Sequence, residues 1–222
     1  MMKLLTAFLL MNVVAINLTA PRKALASGVF DLPAFLEAGK WSAGLEPEIV
    51  LSNGTGAGFN FKPRYGATDF LNWQGVIGTG TGARQFRVGG IADFEWFPDY
   101  ASQPGIATPL FMEYYRLETD GLLSFGAKPL LYKSFNGQGA VYTPFVALPV
   151  GWNYKNSKIN GFMQVALGSM FKVSNLQNWK FTAEAGFDVK NAYSYISGGV
   201  TYFYSGVGRP SKDKPAEEIS SR

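Results

Sequence analysis

From residue 41 to residue 204 the chain repeats one pattern, apolar side chains alternating with small, polar or charged ones. In WKFTAEAGFDVK, residues 179–190, Trp179, Phe181, Ala183, Ala185, Phe187 and Val189 are apolar. Lys180, Thr182, Glu184, Gly186, Asp188 and Lys190 lie between them. Alternation with period two is the mark of a β-strand with one wet and one apolar face. The pattern predicts ten such segments: 41–51, 59–65, 71–77, 86–96, 106–117, 122–135, 141–154, 159–171, 179–190 and 193–204. Short breaks rich in Gly, Asn, Asp and Ser, such as SNGTG, GTGTG, ETDG and KNSK, separate most of them and read as turns. FPDYASQPG, 97–105, is the longest break. Glu46 and Glu48 on the first segment are expected opposite Lys62 and Arg64 on the second, since opposite charges favour a paired hairpin.

Composition narrows the function classes. The 222 residues include no Cys and no His. Disulfides and thiolate metal sites are thereby excluded, and the commonest metal ligand and neutral-pH base is missing. Charged residues make up 16%, below the usual quarter of a soluble domain, while aromatics make up 15%. Residues 1–26 read as a secretory signal peptide: Lys3 gives a positive start, 4–18 an apolar stretch, and Ala24-Leu25-Ala26 a small-x-small cleavage site. Without that segment 17 basic side chains face 16 acidic ones, a net charge of +1, which argues against nucleic acid as a partner. Residues 27–40 form a periplasmic N-terminal segment in which FDLPAFLEAG offers one or two helical turns. Residues 205–222 are a polar tail with Pro210 and Pro215 that reads as disordered.

The fold class that follows is all-β, an antiparallel barrel of about ten strands (8–12), and the open question is what the apolar face meets. In a soluble sandwich or lipocalin-like barrel it points to a core. In a transmembrane barrel it points to lipid and the polar face lines the lumen. Strands of about 9–11 residues suit a bilayer crossing, and an even count leaves both chain ends on one side. The polar faces then predict a lumen charge network of Glu46, Glu48, Lys62, Arg64, Arg87, Asp93, Glu95, Glu113, Lys128, Lys180, Glu184 and Asp188. Aromatics near strand ends predict an interfacial girdle of Trp41, Tyr65, Trp73, Trp96, Tyr142, Trp152, Trp179, Tyr202 and Tyr204. The run YISGGVTYFY, 195–204, resembles the closing-strand signal of bacterial outer-membrane barrels, although a tail follows Tyr204. That resemblance implies residence in the bacterial outer membrane, membrane lipids as neighbours, and insertion by the outer-membrane barrel assembly machinery.

No catalytic constellation accompanies the pattern, and no cofactor is implied. Barrel-embedded enzymes resemble one another in a catalytic His, which this chain lacks. Ser124 and Lys128 share a strand face but lie too far apart for a direct hydrogen bond. The acidic pairs Glu46/Glu48 and Glu184/Asp188 could suggest a glycosidase pair, but read better as ion-paired lumen residues. Met163 and Met170 read as packing. Three non-enzymatic readings remain: a structural barrel or narrow passive pore; an oligomeric assembly that encloses lipid; and a channel for small hydrophobic ligands. The second is motivated by similarity to the lipid-trapping oligomeric outer-membrane proteins of predatory bacteria, the third by apolar inner positions at Phe111, Tyr115, Leu130 and Phe145. Pro47, Pro63, Pro109, Pro129, Pro144 and Pro149 fall inside predicted strands, where each removes a ladder donor. Shortened strands, bulges or a wall deformed against a neighbour are the expected explanations.

Overall fold

The computed structural model describes residues 35–52, 55–117 and 120–204. The expected signal peptide, most of the expected N-terminal segment and the expected polar tail lie outside them. Ten strands run antiparallel, each bonded to its sequence neighbours. They are β1 (Trp41–Val50), β2 (Gly56–Thr68), β3 (Leu71–Gly80), β4 (Phe86–Phe97) and β5 (Gly105–Arg116). β6 consists of Gly121–Ala127 and Leu130–Tyr132, with Phe135–Asn136 extending its far end. β7 consists of Ala140–Ala147 and Val150–Lys155, followed by β8 (Lys158–Val173), β9 (Trp179–Lys190) and β10 (Tyr195–Tyr204). β10, which is the YISGGVTYFY run, pairs with β9 on one side and with β1 on the other, from Trp41↔Tyr204 to Val50↔Tyr195. The ladder is therefore a closed ten-stranded barrel with no free edge.

At ~3.3 Å per residue and a tilt near 40°, a strand of twelve residues rises ~30 Å, the thickness of a bilayer's hydrocarbon core. The faces are inverted relative to a soluble protein. Leu45, Ile49, Phe59, Phe61, Ile77, Leu110, Leu167 and Ile196 are exposed, whereas Glu46, Glu48, Lys62, Arg64, Arg87 and Glu113 are buried. Water would not leave so large a contiguous apolar surface uncovered, and the chain is a transmembrane β-barrel. Large inward rings are accommodated by glycines on adjacent strands. The Phe145 ring occupies the space a side chain at Gly168 would need, and the Tyr195 ring that of one at Gly186.

Both described chain ends lie at one rim, called here the terminal rim. The connections there include 98–104, 174–178 and the stretch around Phe135–Asn136, together with the two-residue β2–β3 turn at Asp69–Phe70. The turn of Asn156 and Ser157, both at positive φ, joins β7 and β8 in two residues, as hairpin twist favours. GTGTG is not wholly a turn: β3 continues through Gly80, and Gly82–Arg84 then forms a 3-10 turn. Residues 35–40, the described part of the expected helical segment, form an extended stretch and a turn. They fold into the terminal mouth: Leu36 is buried, and Gly39 N–H and Lys40 C=O bond Gly66.

Two of the six prolines shorten their strands as expected, and none sits at a register shift. Pro47, Pro63, Pro109 and Pro144 stay within strands, although the β1–β10 pairing skips Glu46–Pro47 and the β2–β3 pairing skips Lys62–Pro63; Pro129 and Pro149 fall at strand breaks, 128–129 and 148–149. Register continues unchanged across both breaks, Leu110↔Ala127 and Ala107↔Leu130 on one seam, Val150↔Ala127 and Leu130↔Ala147 on the next. The register shifts lie elsewhere, at Gly66/Thr68, Glu95/Phe97 and Met163/Gln164.

Candidate functional site

Among the described residues ten charged side chains are buried inside the barrel, five acidic (Glu46, Glu48, Asp93, Glu113, Glu184) and five basic (Lys62, Arg64, Arg84, Arg87, Lys128). Alternation aims each strand-borne charge inward, and the ion pairs form between strands. Lys62 meets Glu46 at 2.8 Å; Arg64 meets Asp93 at 3.3 Å and donates two bonds to Gln74 Oε1 at 2.9 and 2.7 Å. Arg84 meets Glu48 at 2.8 Å. Arg87 bridges Glu113 at 2.8 Å and Glu48 at 3.8 Å, and Lys128 lies 3.9 Å from Glu113. Three tyrosine hydroxyls complete the network: Tyr115 donates to Glu113, Tyr132 to Glu95, and Tyr195 to Glu184.

The β1–β2 hairpin does not bring the expected charges into direct opposition. Glu46 stands across from Asn60, and Lys62 and Arg64 face Gly44 and Ser42. The glutamates are therefore reached diagonally, Glu46 by Lys62 on the next inward position and Glu48 by Arg84 from outside the hairpin. Among the other expected network residues, Glu95 is half-buried at the terminal mouth beside Tyr132. Lys180 sits with its ammonium 4.2 Å over the Phe203 ring. Asp188 caps the β9–β10 turn by accepting from Ala192 N–H at 2.9 Å.

Arg84 is the charged residue that period two could not find, because it lies on the 3-10 turn and not on a strand. Thr81 fixes that turn: its N–H donates to Ala57 C=O at 2.8 Å, and its hydroxyl accepts from Ala57 N–H at 3.3 Å. Arg84 enters the lumen between two aromatic rings, 5.0 Å from the centre of Tyr115 and 5.1 Å from that of Tyr193. Above the charges, Val50, Tyr115, Leu122 and Tyr193 pack with Leu117 into an apolar layer.

The interior is sectored. β1, β2, the 3-10 turn, β4 and β9 carry eight of these ten charges, whereas the inward faces of β5–β8 are largely apolar. Ala107, Leu130, Tyr132, Phe145, Ala147 and Ala166 form one cluster there, with Phe35 of the N-terminal segment packed on it. Phe111 and Phe162 join Val76, Ile91 and Ala192 in another. At the terminal mouth, residues Phe35, Leu36, Glu37, Asp69, Glu95, Pro98, Asp99, Tyr132 and Ser134 line an open cleft of about 450 Å³. Among them burial would raise the carboxyl of Asp99, but the Lys133 ammonium at 2.6 Å and the Ser134 N–H at 2.7 Å hold it below its ordinary value.

The expected girdle is unevenly divided. Trp41, Tyr65, Trp73, Trp96, Tyr142, Trp179, Tyr202 and Tyr204 sit toward the terminal ends of their strands, and Trp152 toward the opposite end. Several are in contact: Trp41 with Tyr65 at 4.7 Å, Trp179 with Tyr202 at 4.9 Å, and Tyr202 with Tyr204 at 5.0 Å between ring centres. Among the described residues no group of three or more acidic side chains is placed to hold a metal ion.

No protein-family model matches the chain, and no curated protein matches it. Among solved structures it is similar to a de novo designed transmembrane β-barrel, at 12% identity over 77% of this chain and 100% of that one, TM-score 0.35. It is also similar to Ail, the attachment invasion locus protein of Yersinia pestis, at 13% identity over 76% of this chain and 100% of that one, TM-score 0.24. The closed ladder and the inverted faces, rather than these likenesses, define the fold.

Proposed function

We propose that the protein is a non-enzymatic integral barrel of the bacterial outer membrane, structural in role and closed along its axis to ions and solutes. The observation that carries this reading is the lumen: five buried acids matched by five buried bases, held between wall strands and covered by an apolar layer. A ten-stranded barrel is little wider than the eight-stranded size that side chains fill, and here ion pairs and tyrosine–glutamate bonds span the interior. The signal-peptide-like start and the placement of both described chain ends at one rim support the outer membrane as its location, with lipid around the belt and the barrel assembly machinery as its route in. Planar-bilayer recording with the purified protein tests the closed axis. Absence of stable steps is expected; a stable large conductance accompanied by solute flux would overturn it.

A further inference from the structure

Two lysines stand side by side on the inner wall at the terminal mouth. On β8 the buried, inward residues are Phe162, Gln164, Ala166 and Met170, and Lys172 continues that face. On β9 they are Thr182 and Glu184, and Lys180 precedes them on the same face. The β8–β9 ladder passes through Met170↔Thr182 and Phe171↔Phe181, so the next rung sets Lys172 opposite Lys180. Opposed residues in an antiparallel pair lie ~5 Å apart at Cα, and like charges placed so destabilise a sheet.

Neither charge is compensated. Among the described residues Lys172 and Lys180 have no carboxylate partner, in contrast to Lys62, Lys133 and Lys155. The charged groups that act on Lys180 are Lys172 and Arg64, both cations, and Arg64 is itself held by Asp93. The acids of this mouth, Glu37, Asp69, Glu95 and Asp99, line the cleft on the β2–β6 side. Buried hydroxyls flank the lysines. Thr182, the next inward residue after Lys180, is 5% exposed, and its Oγ1 has no hydrogen-bond partner. Ser42, 2% exposed, carries another such hydroxyl. It stands across from Arg64 on one side and, on the other, from Phe203, whose ring lies under the Lys180 ammonium at 4.2 Å. Burying a hydroxyl without a partner is unfavourable, as is opposing two ammoniums, and one ligand class relieves both.

We infer that the Lys172–Lys180 pair, with the Thr182 and Ser42 hydroxyls beside it, binds the phosphate group of a water-soluble ligand entering the terminal mouth. Two ammoniums match the charge of a phosphate dianion, and its several oxygens accept from ammoniums and hydroxyls together. Lys172 is exposed and Lys180 half-buried, so a solute in the mouth reaches both. Both lysines face the lumen, which favours a ligand from water over one from the surrounding bilayer. The site needs no passage along the axis.

The test uses the full barrel in lauryl maltoside, an uncharged and phosphate-free detergent, with inorganic phosphate as the probe. Phosphorus NMR titration should show saturable binding, with chloride a poor competitor. Lys172→Gln and Lys180→Gln should each weaken it ~10-fold or more, since each removes a charge-assisted bond. Lys172→Arg should retain most of it, and Thr182→Val should weaken it as well. Urea unfolding supplies a second readout. Without phosphate, Lys172→Gln should be at least as stable as wild type, because a like-charge opposition is relieved. Added phosphate should stabilise the wild type and not that variant. No saturable binding to the wild type, unchanged binding when both lysines are Gln, or a Lys172→Gln barrel destabilised without phosphate overturns the site. Loss of bound phosphate in vesicles containing phosphatidylglycerol, but not in phosphatidylcholine alone, would assign the pair to a lipid headgroup and overturn the soluble ligand. Bilayer conductance tests the closed axis separately, so the two readings can fail independently.

Discussion

Replacing Arg87 with Met probes whether the lumen network holds the barrel together. Arg87 is 1% exposed and serves two acids, Glu113 at 2.8 Å and Glu48 at 3.8 Å. At an effective dielectric of ~20 those attractions amount to ~6 and ~4 kcal/mol, before the several kcal/mol needed to desolvate the guanidinium are subtracted. Loss of one partner of a buried pair typically costs ~3–5 kcal/mol, chiefly because the acid left behind stays buried. Here Glu48 keeps Arg84 at 2.8 Å and Glu113 keeps Lys128 at 3.9 Å. The expected loss is therefore at the lower end, ~3 kcal/mol, or ~100-fold in the folding equilibrium. The assay is urea-driven unfolding from lipid vesicles, followed by the heat-modifiable shift on a gel. Adding Glu113→Gln removes the surplus negative charge, and the double variant should recover ~1 kcal/mol or more over Arg87→Met. A single variant within ~0.5 kcal/mol of wild type, a change of surface-substitution size, refutes the reasoning. So does a double variant less stable than the single.

Three further outcomes follow from the same geometry. Leu167→Arg places a charge on the outer face near mid-strand, where exposure is 50%, and should cost ~2–4 kcal/mol in the same vesicle assay if that face meets lipid; a change near zero would mean that it meets water. The Asp99 carboxyl is held below its ordinary 3.8 by Lys133 and Ser134. Its contribution to docking of the 98–104 connection is thus complete at neutral pH and fades as pH falls below that value. Hydrogen exchange in 98–104 should rise on acidification in the wild type and show a weaker pH dependence in Asp99→Asn. Four of the five tryptophans, Trp41, Trp73, Trp96 and Trp179, sit toward the terminal rim and Trp152 toward the other. Quenching by lipids brominated near the headgroup should fall markedly in Trp152→Phe only when the brominated lipid is confined to the leaflet away from that rim.

Much of the wall was legible in the sequence because side chains alternate along a strand except where the register shifts, at three places here. Once residues 41–204 read as period two, the inward aim of Glu46, Lys62, Arg64 and Glu113 followed, and the ten segments lie close to the ten strands. Pairing distances were not legible. Glu46 and Lys62 meet diagonally because turn geometry sets the register, and Glu48 is served by a residue thirty-six positions away. The three Tyr–Glu bonds were hidden for a different reason. Tyr115 reads in sequence only as an apolar inner position, and nothing there ties Tyr115, Tyr132 or Tyr195 to an acid; the closed ladder brings their hydroxyls to Glu113, Glu95 and Glu184. Lys180 was placed in the lumen by the same alternation, but its opposition to Lys172 exists only once the β8–β9 register is known.

Arg84 shows most directly what a periodic pattern leaves out. A barrel strand can present an inward charge at every second position, but only at the wall. Filling the centre near a rim requires a side chain delivered from the end, and a turn can do that when its backbone is folded back on a neighbouring strand. Thr81, bonded both ways to Ala57, supplies that fold, and Gly82 at φ +58 permits it, since a side chain there would strike Thr55 C=O. The guanidinium then reaches Glu48 between two tyrosine rings, where cation–π contact adds to the ion pair. Arg84→Ala should accordingly do more than remove an ion pair. It empties the gap between Tyr115 and Tyr193 and leaves Glu48 to Arg87 at 3.8 Å. Ion steps in planar bilayers should appear in Arg84→Ala and not in Val146→Ala, a change on the outward face of the wall. If Arg84→Ala stays silent while remaining folded, the apolar layer of Val50, Leu122 and Leu117, and not the charge network, closes the barrel.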